Sequence, residues 1–209
     1  SLPLDRLADH EPGYVGEEEQ RDVEGVAGVD EAGRGPLAGG VFAAAVILPP
    51  QFYLPGLTDS KKLSSAKRQC LDQCIRAQAL AYCIASATVE EIDTINILQA
   101  SLLAMQRAIN GLSLFPHMIE IDGTQAPKNI HQPYRCIIKG DLTHPHISAA
   151  SILAKVARDQ EMFAVDARYP AYGFAQHKGY GTAQHLSALY RYGPCPIHRK
   201  SFAPIRKIN

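Results

Sequence analysis

Four acidic residues carry the first chemical signal. Asp30 and Glu31 are adjacent and end the Val-rich stretch VEGVAGVDE (23–31). Asp122 lies at the end of HMIEIDG (117–123), and Asp141 closes YRCIIKGD (134–141). Each stretch reads as a β-strand, so three strands are expected to deliver carboxylate near their C-terminal ends. Gathered in one sheet without a cation, such groups repel and cannot all ionise. Hard divalent ions resolve the conflict, because Mg²⁺ and Mn²⁺ prefer carboxylate oxygen and water and take substrate phosphate as a further ligand. Two such ions ~3.5–4 Å apart clamp the attacking and leaving oxygens of a phosphodiester displacement.

Directly after the first acid pair comes a small-residue run containing Gly33, Arg34 and Gly35. Gly33-x-Gly35-x-x-Ala38 matches the pattern of a dinucleotide fingerprint. The context rejects it. That motif must open a helix whose N-terminus holds pyrophosphate, whereas here VFAAAVIL follows and reads as a strand. Pro36 removes a backbone donor, and two upstream carboxylates oppose a bare pyrophosphate. Glycines in this place instead allow close backbone approach to a ligand held beside the metals.

The elements that must position these groups read as follows. VEGVAGVDE and GGVFAAAVILPP (39–50) form a hairpin, the second strand continuously apolar and closed by Pro49 and Pro50. Ser64 or Ser65 caps a helix running to about residue 79, and LAYCIASATV (80–89) is a third strand. One helix is expected over 90–110, with Ile95, Leu98, Leu102, Met105 and Ile109 on one stripe and Gly111 ending it. Two strands at 117–123 and 134–141 precede helices at 147–169 and 182–192. The order ββαβαββαα defines an α/β chain with a mixed central sheet and a helical C-terminal part. Three segments follow: an acidic lead-in (1–22), a core (23–166) and a basic C-terminal extension (167–209).

Composition sets the bounds. The chain has 209 residues and 46% hydrophobic content, enough for one domain with a real core. No apolar run approaches the ~20 residues of a membrane helix, and SLPLDRLADH lacks the pattern of a signal peptide. Five cysteines without a C-x-x-C pair predict neither a disulfide framework nor a zinc site, and point to a reducing, cytoplasmic setting. Cys70 and Cys74 are expected as small apolar residues on one helix face. His144 and His146 are expected as solvated loop residues, and Asp159 as a structural partner within its helix. Formal net charge is zero, but residues 1–31 hold ten acidic and two basic side chains. Residues 167–209 hold seven basic ones, Arg199 among them, and no acidic one. With Tyr169, Tyr172, Tyr180, Tyr190 and Tyr192 interleaved, that region reads either as a polyanion-binding surface or as a solvated face over core tyrosines.

Seven stretches together resemble the ribonuclease HII family, the bacterial type 2 ribonucleases H. They are GVDEAGRGPLAG (28–39), LTDSKKLS (57–64), IDG (121–123), KGD (139–141), ISAASILAKVARD (147–159), YGFAQHKGY (172–180) and HRKSF (198–202). The resemblance implies a ribonuclease H-like fold with a helical C-terminal extension. It implies an endonuclease acting on RNA–DNA hybrids and on duplex DNA containing single ribonucleotides, working as a monomer with two Mg²⁺ or Mn²⁺ ions. Asp30, Glu31, Asp122 and Asp141 match the family's metal-binding quartet. In that picture Asp30 bridges both ions, Asp141 serves the ion on the nucleophilic water, and Glu31 and Asp122 serve the ion on the leaving 3′-oxygen. Gly33, Arg34 and Gly35 match the segment that reads a 2′-hydroxyl through backbone atoms. Tyr180 matches the tyrosine at the ribo-to-deoxyribo junction, and Lys61 and Lys62 lie where the family contacts phosphate. A non-catalytic hybrid-binding module would lack a quartet carboxylate; another metal-dependent nuclease of this fold would lack GRG and HKGY together.

Overall fold

The computed structural model of the chain describes residues 25–57 and 62–208. The acidic lead-in and Lys61 therefore lie outside the described residues. Five strands form one sheet: β1 (Val26–Ala32), β2 (Val41–Ile47), β3 (Ala81–Ala87), β4 (Met118–Asp122) and β5 (Tyr134–Ile137), in the order β3-β2-β1-β4-β5. β1, β2 and β3 are antiparallel neighbours, whereas β4 joins β1, and β5 joins β4, in parallel. The expected hairpin and mixed sheet are both present.

Helices cover the two faces. Alternation along β1 and β4 sends Val29 and Ile121 to one face with Ala104, Ala108 and Ile109. That face is covered by α2 (Val89–Ile95) and α3 (Ile97–Asn110). The other face packs Ala44 and Val46 against Ala149, Ala150 and Leu153 of the 24-residue helix α5 (Pro145–Arg168), flanked by α1 (Ser65–Gln78). Gly28 makes this crossing possible: a Cβ there would overlap the backbone carbonyl of His146 at the start of α5.

Two sequence expectations change. The helix expected over 90–110 is two helices, broken at Asn96 with φ 76°. The Asn96 side chain accepts the Gln99 N–H at 2.9 Å and caps α3. Gly111 does end α3, but with φ −83°. It is glycine because a Cβ would overlap Cys83 Sγ on β3, not because the chain turns left-handed there.

The chain after α5 continues through α6 (Phe174–His177), α7 (Ala183–Tyr192) and α8 (Ala203–Arg206). Phe174, Leu189 and Ile205 pack there against Met162 and Val165 of α5, and against Leu37 and Ala38 from the β1–β2 connection. The glycine-rich connection is thus sandwiched between the sheet and the C-terminal helices.

Candidate active site

Parallel pairing of β1 with β4, in register Val29↔Ile121, brings Asp30 and Asp122 to the same edge of the sheet. Asp30 is 4% exposed, and its carboxylate accepts the Glu31 N–H at 2.8 Å. Burial, with the charges of Glu31 and Asp122 added, holds its carboxyl well above the usual carboxylate range. Burial raises Asp122 too; the charges of Asp141 and Glu31 add to it, while hydrogen bonds from the Asp141 and Gly140 N–H groups oppose it.

Asp141 reaches this edge by a route the sequence did not reveal. It does not end a strand, because β5 stops at Ile137. Lys139 then takes a left-handed conformation, φ 55°, and starts the short helix α4 (Gly140–Thr143). Gly140 fits under α5, where a Cβ would stand 2.6 Å from Ile147 Cδ1. The turn places the Asp141 N–H 3.2 Å from Asp122 Oδ1. Ser148 of α5 donates its hydroxyl to the Asp141 carbonyl and fixes the turn from the helix side.

The Gly33–Gly35 loop borders the acids. Gly33 has φ 93°, while Arg34 and Gly35 are exposed. A cleft of about 420 Å³ is lined by Glu31, Gly33, Arg34, Gly35, Arg68, Ser151, Lys155 and Tyr180. Glu31 and Arg34 also line a second cleft of about 320 Å³ with Asp122. Tyr180 is 40% exposed, and a Cβ on Gly35 would stand 3.6 Å from its ring. Lys155 Nζ and the Arg158 guanidinium lie 5.8 Å and 5.9 Å from that ring's centre. Lys62 is exposed and does not line the cleft; Arg68, one turn into α1, does.

The structure settles several residues that the sequence leaves open or places wrongly. Composition places Arg199 on an external basic surface, yet it is 0% exposed and its guanidinium holds the glycine-rich loop. Burial, with the Arg158 charge added, lowers it to about 9, so it remains a cation at neutral pH. Tyr172 is likewise a core residue, stacked on Phe174, whereas Tyr190 and Tyr192 are exposed. Asp159 pairs with Lys155 at 3.4 Å, the structural role expected. His146 is no solvated loop residue: its Nε2 lies 2.5 Å from the buried Glu120 carboxylate, which also pairs with Arg135. That group ties the start of α5 to β4. Cys70 is exposed and not an apolar contact; all five cysteines are free. No helix among the described residues is long and apolar enough to cross a membrane.

A mixed sheet that brings acids from β1, β4 and α4 to one edge, beside a glycine-rich loop and a basic cleft, defines a nuclease of the ribonuclease H-like fold. The ribonuclease HII family model matches residues 27–205, and the chain belongs to that family. It is a ribonuclease H, an endoribonuclease. A ribonuclease HII of Bordetella avium is 61% identical over 183 residues, spanning 88% of this chain and 90% of that one. Ribonuclease H2 of Pyrococcus horikoshii superposes with a TM-score of 0.74 at 28% identity, over 88% of this chain and 96% of that one. Bst-RNase HIII in complex with Mn²⁺ shares the fold, with a TM-score of 0.66 at 16% identity, over 95% of this chain and 73% of that one.

Proposed function

We propose that this chain hydrolyses the RNA strand of RNA–DNA hybrids and nicks duplex DNA on the 5′ side of single embedded ribonucleotides. The products carry 3′-hydroxyl and 5′-phosphate ends. The observation that carries this reading is the adjacency of the acid group to the Gly33–Gly35 loop, with Glu31 lining the same cleft as Gly35 and Tyr180. The curated relative named ribonuclease HII supports the substrate class.

Asp30, Glu31, Asp122 and Asp141 are the residues that would hold divalent ions. The donor set fits: Asp30 and Asp141 are buried and Glu31 and Asp122 half-buried, and such mutually repelling carboxylates ask for a hard cation. Among the described residues no three His, Cys, Asp or Glu side chains enclose an ion by themselves. An open site of this kind is completed by water and phosphate oxygens, as Mg²⁺ prefers. When bound, two divalent ions supply charge neutralisation at the phosphate and lower the pKa of a water.

The chain's own groups do the rest. The Gly33–Gly35 backbone faces the 2′-hydroxyl, the group that separates RNA from DNA at one nucleotide. Arg34, Arg68 and Lys155 neutralise strand phosphates. The Tyr180 ring packs on the following sugar and favours one without a 2′-hydroxyl. Lys61 and Lys62 extend the phosphate contacts, and residues 167–209 grip the duplex with their exposed basic side chains.

The deciding experiment is a nicking assay on a duplex with one ribonucleotide, with Mg²⁺ or Mn²⁺, against the same duplex in all-DNA form. A single 5′ nick in the first duplex alone is expected. Equal cutting of both would refute the 2′-hydroxyl reading.

A further inference from the structure

Arg158 and Arg199 are 1% and 0% exposed, and among the described residues neither forms an ion pair with a carboxylate. A buried cation without compensation is costly. Here the compensation is backbone carbonyl oxygen: for Arg199 it comes wholly from the Gly33–Gly40 loop, and for Arg158 from that loop and from Lys178 at 2.8 Å. Arg199 Nε donates to Gly39 at 2.8 Å, Nη1 to Arg34 at 3.0 Å and Pro36 at 2.8 Å, and Nη2 to Gly33 at 2.7 Å and Gly40 at 3.2 Å. A guanidinium has five N–H donors, and all are directed at this loop. The Arg199 backbone N–H takes the Leu37 carbonyl at 2.8 Å, and Arg158 Nη2 takes that of Ala38 at 2.9 Å.

One carbonyl remains. Between Gly33 and Gly40, only Gly35 has a carbonyl that accepts no hydrogen bond among the described residues, and Gly35 is exposed at the cleft beside Tyr180. The N–H groups of Arg34 and Gly35 likewise have no partner among the described residues. We propose that Arg199 is a positioning residue for sugar discrimination. By drawing the other carbonyls inward, all but that of Ala38, which Arg158 holds, it leaves one acceptor, at Gly35, next to unpaired amide donors. A hydroxyl both donates and accepts, so it satisfies this pair where a C–H group cannot. The inference rests on the reading that the loop faces the 2′-hydroxyl, and adds the residue that shapes the loop for it.

The planar five-donor fan is what the role requires. Lysine has three donors, so Arg199→Lys keeps the charge and leaves at least two loop carbonyls without their partner. A second variant acts from outside. Asp93 of α2 accepts the backbone N–H groups of Lys200 at 3.1 Å and Ser201 at 3.0 Å, anchoring the chain beside Arg199. Asp93→Ala frees that anchor and touches neither the cleft nor the acids.

The test measures binding of two duplexes without divalent ion, identical except for one ribonucleotide, with thermal melting to confirm the fold. Wild type is expected to prefer the ribonucleotide duplex. Arg199→Lys is expected to lose about tenfold of that preference, with all-DNA affinity unchanged. Asp93→Ala is expected to lose about threefold in the same sense. A folded Arg199→Lys that keeps the wild-type ratio, or loses affinity equally for both duplexes, overturns the proposal. Should Arg199→Lys fail to fold, the Asp93→Ala ratio decides in the same way. A wild type with no preference removes the 2′-hydroxyl reading itself, and with it the role for Arg199.

Discussion

The backbone N–H of Asp141 donates to the Asp122 carboxylate across 3.2 Å, so one acid of the quartet holds the main chain of another. Asp122→Asn keeps an oxygen acceptor at that place but removes the charge. An amide is a poor ligand for a hard cation. The variant is therefore expected to keep its melting temperature within a few degrees while cleavage with Mg²⁺ falls by at least about a hundredfold. Near-normal turnover in the nicking assay would remove Asp122 from the proposed metal set.

Asp30 carries the strongest electrostatic conflict. Its folded carboxyl is raised by burial and by Glu31 and Asp122. Such a group binds its proton more tightly folded than unfolded. Its stability contribution is complete below the unfolded value of 3.8 and is lost as pH rises toward the folded value. At neutral pH the group therefore opposes folding, because the unfolded chain releases this proton more readily than the folded one. Asp30→Asn removes that burden: the metal-free protein is expected to melt about 3 °C higher than wild type, while losing cleavage. Added Mg²⁺ should raise the wild-type melting temperature and leave the variant unmoved. A variant that melts lower and still responds to Mg²⁺ contradicts this account of Asp30.

Tyr180 sits against Gly35 with its ring partly exposed, and its own backbone carbonyl is held by His185 Nδ1 at 2.9 Å. Tyr180→Ala removes the ring and keeps that backbone contact. The preference for a ribo-to-deoxyribo junction over a continuous hybrid is expected to drop about tenfold, the equivalent of 1.4 kcal/mol. Duplex affinity should change less. A uniform loss across both substrates, read by competition cleavage, would make Tyr180 a packing residue.

The acids were legible because strand ends and carboxylates are local features: Asp30, Glu31 and Asp122 lie where the hydrophobic pattern stops. Asp141 was legible as a type but not as a position, since a lysine gives no sign that it will adopt φ 55°. Asn96 offered a cap signal inside an apolar stripe, and the stripe hid it. Gly28 and Gly111 are glycine because of α5 and β3, partners far away in sequence, so local turn chemistry misread the second. Arg199 was hidden most deeply. Composition makes an arginine in a basic tail look external, and only the folded loop reveals carbonyls enough to bury it.

Behind the cleft lies a buried imidazole chain whose tautomers are fixed by its partners. Cys195 N–H donates to His198 Nδ1 at 2.9 Å, so the His198 proton sits on Nε2 and points to His185 Nε2 at 2.8 Å. The His185 proton then sits on Nδ1 and donates to the Tyr180 carbonyl. A further proton would set two N–H groups face to face. Burial and the neighbouring His185 accordingly lower His198 from 6.5 to about 4, and burial lowers His185 and His177, which stack at 4.2 Å. A histidine with a depressed folded value binds its proton more readily when unfolded. Its stability contribution is complete above 6.5 and is lost as pH falls through the window down to about 4. For His198 alone the loss approaches about 3 kcal/mol. Melting temperature is expected to fall steadily between pH 6.5 and 4, and His198→Asn, which retains an acceptor for the Cys195 N–H, should melt lower at pH 7.5 but with a shallower slope. Equal slopes for variant and wild type, followed by circular dichroism across that range, would place the acid sensitivity outside the histidine chain.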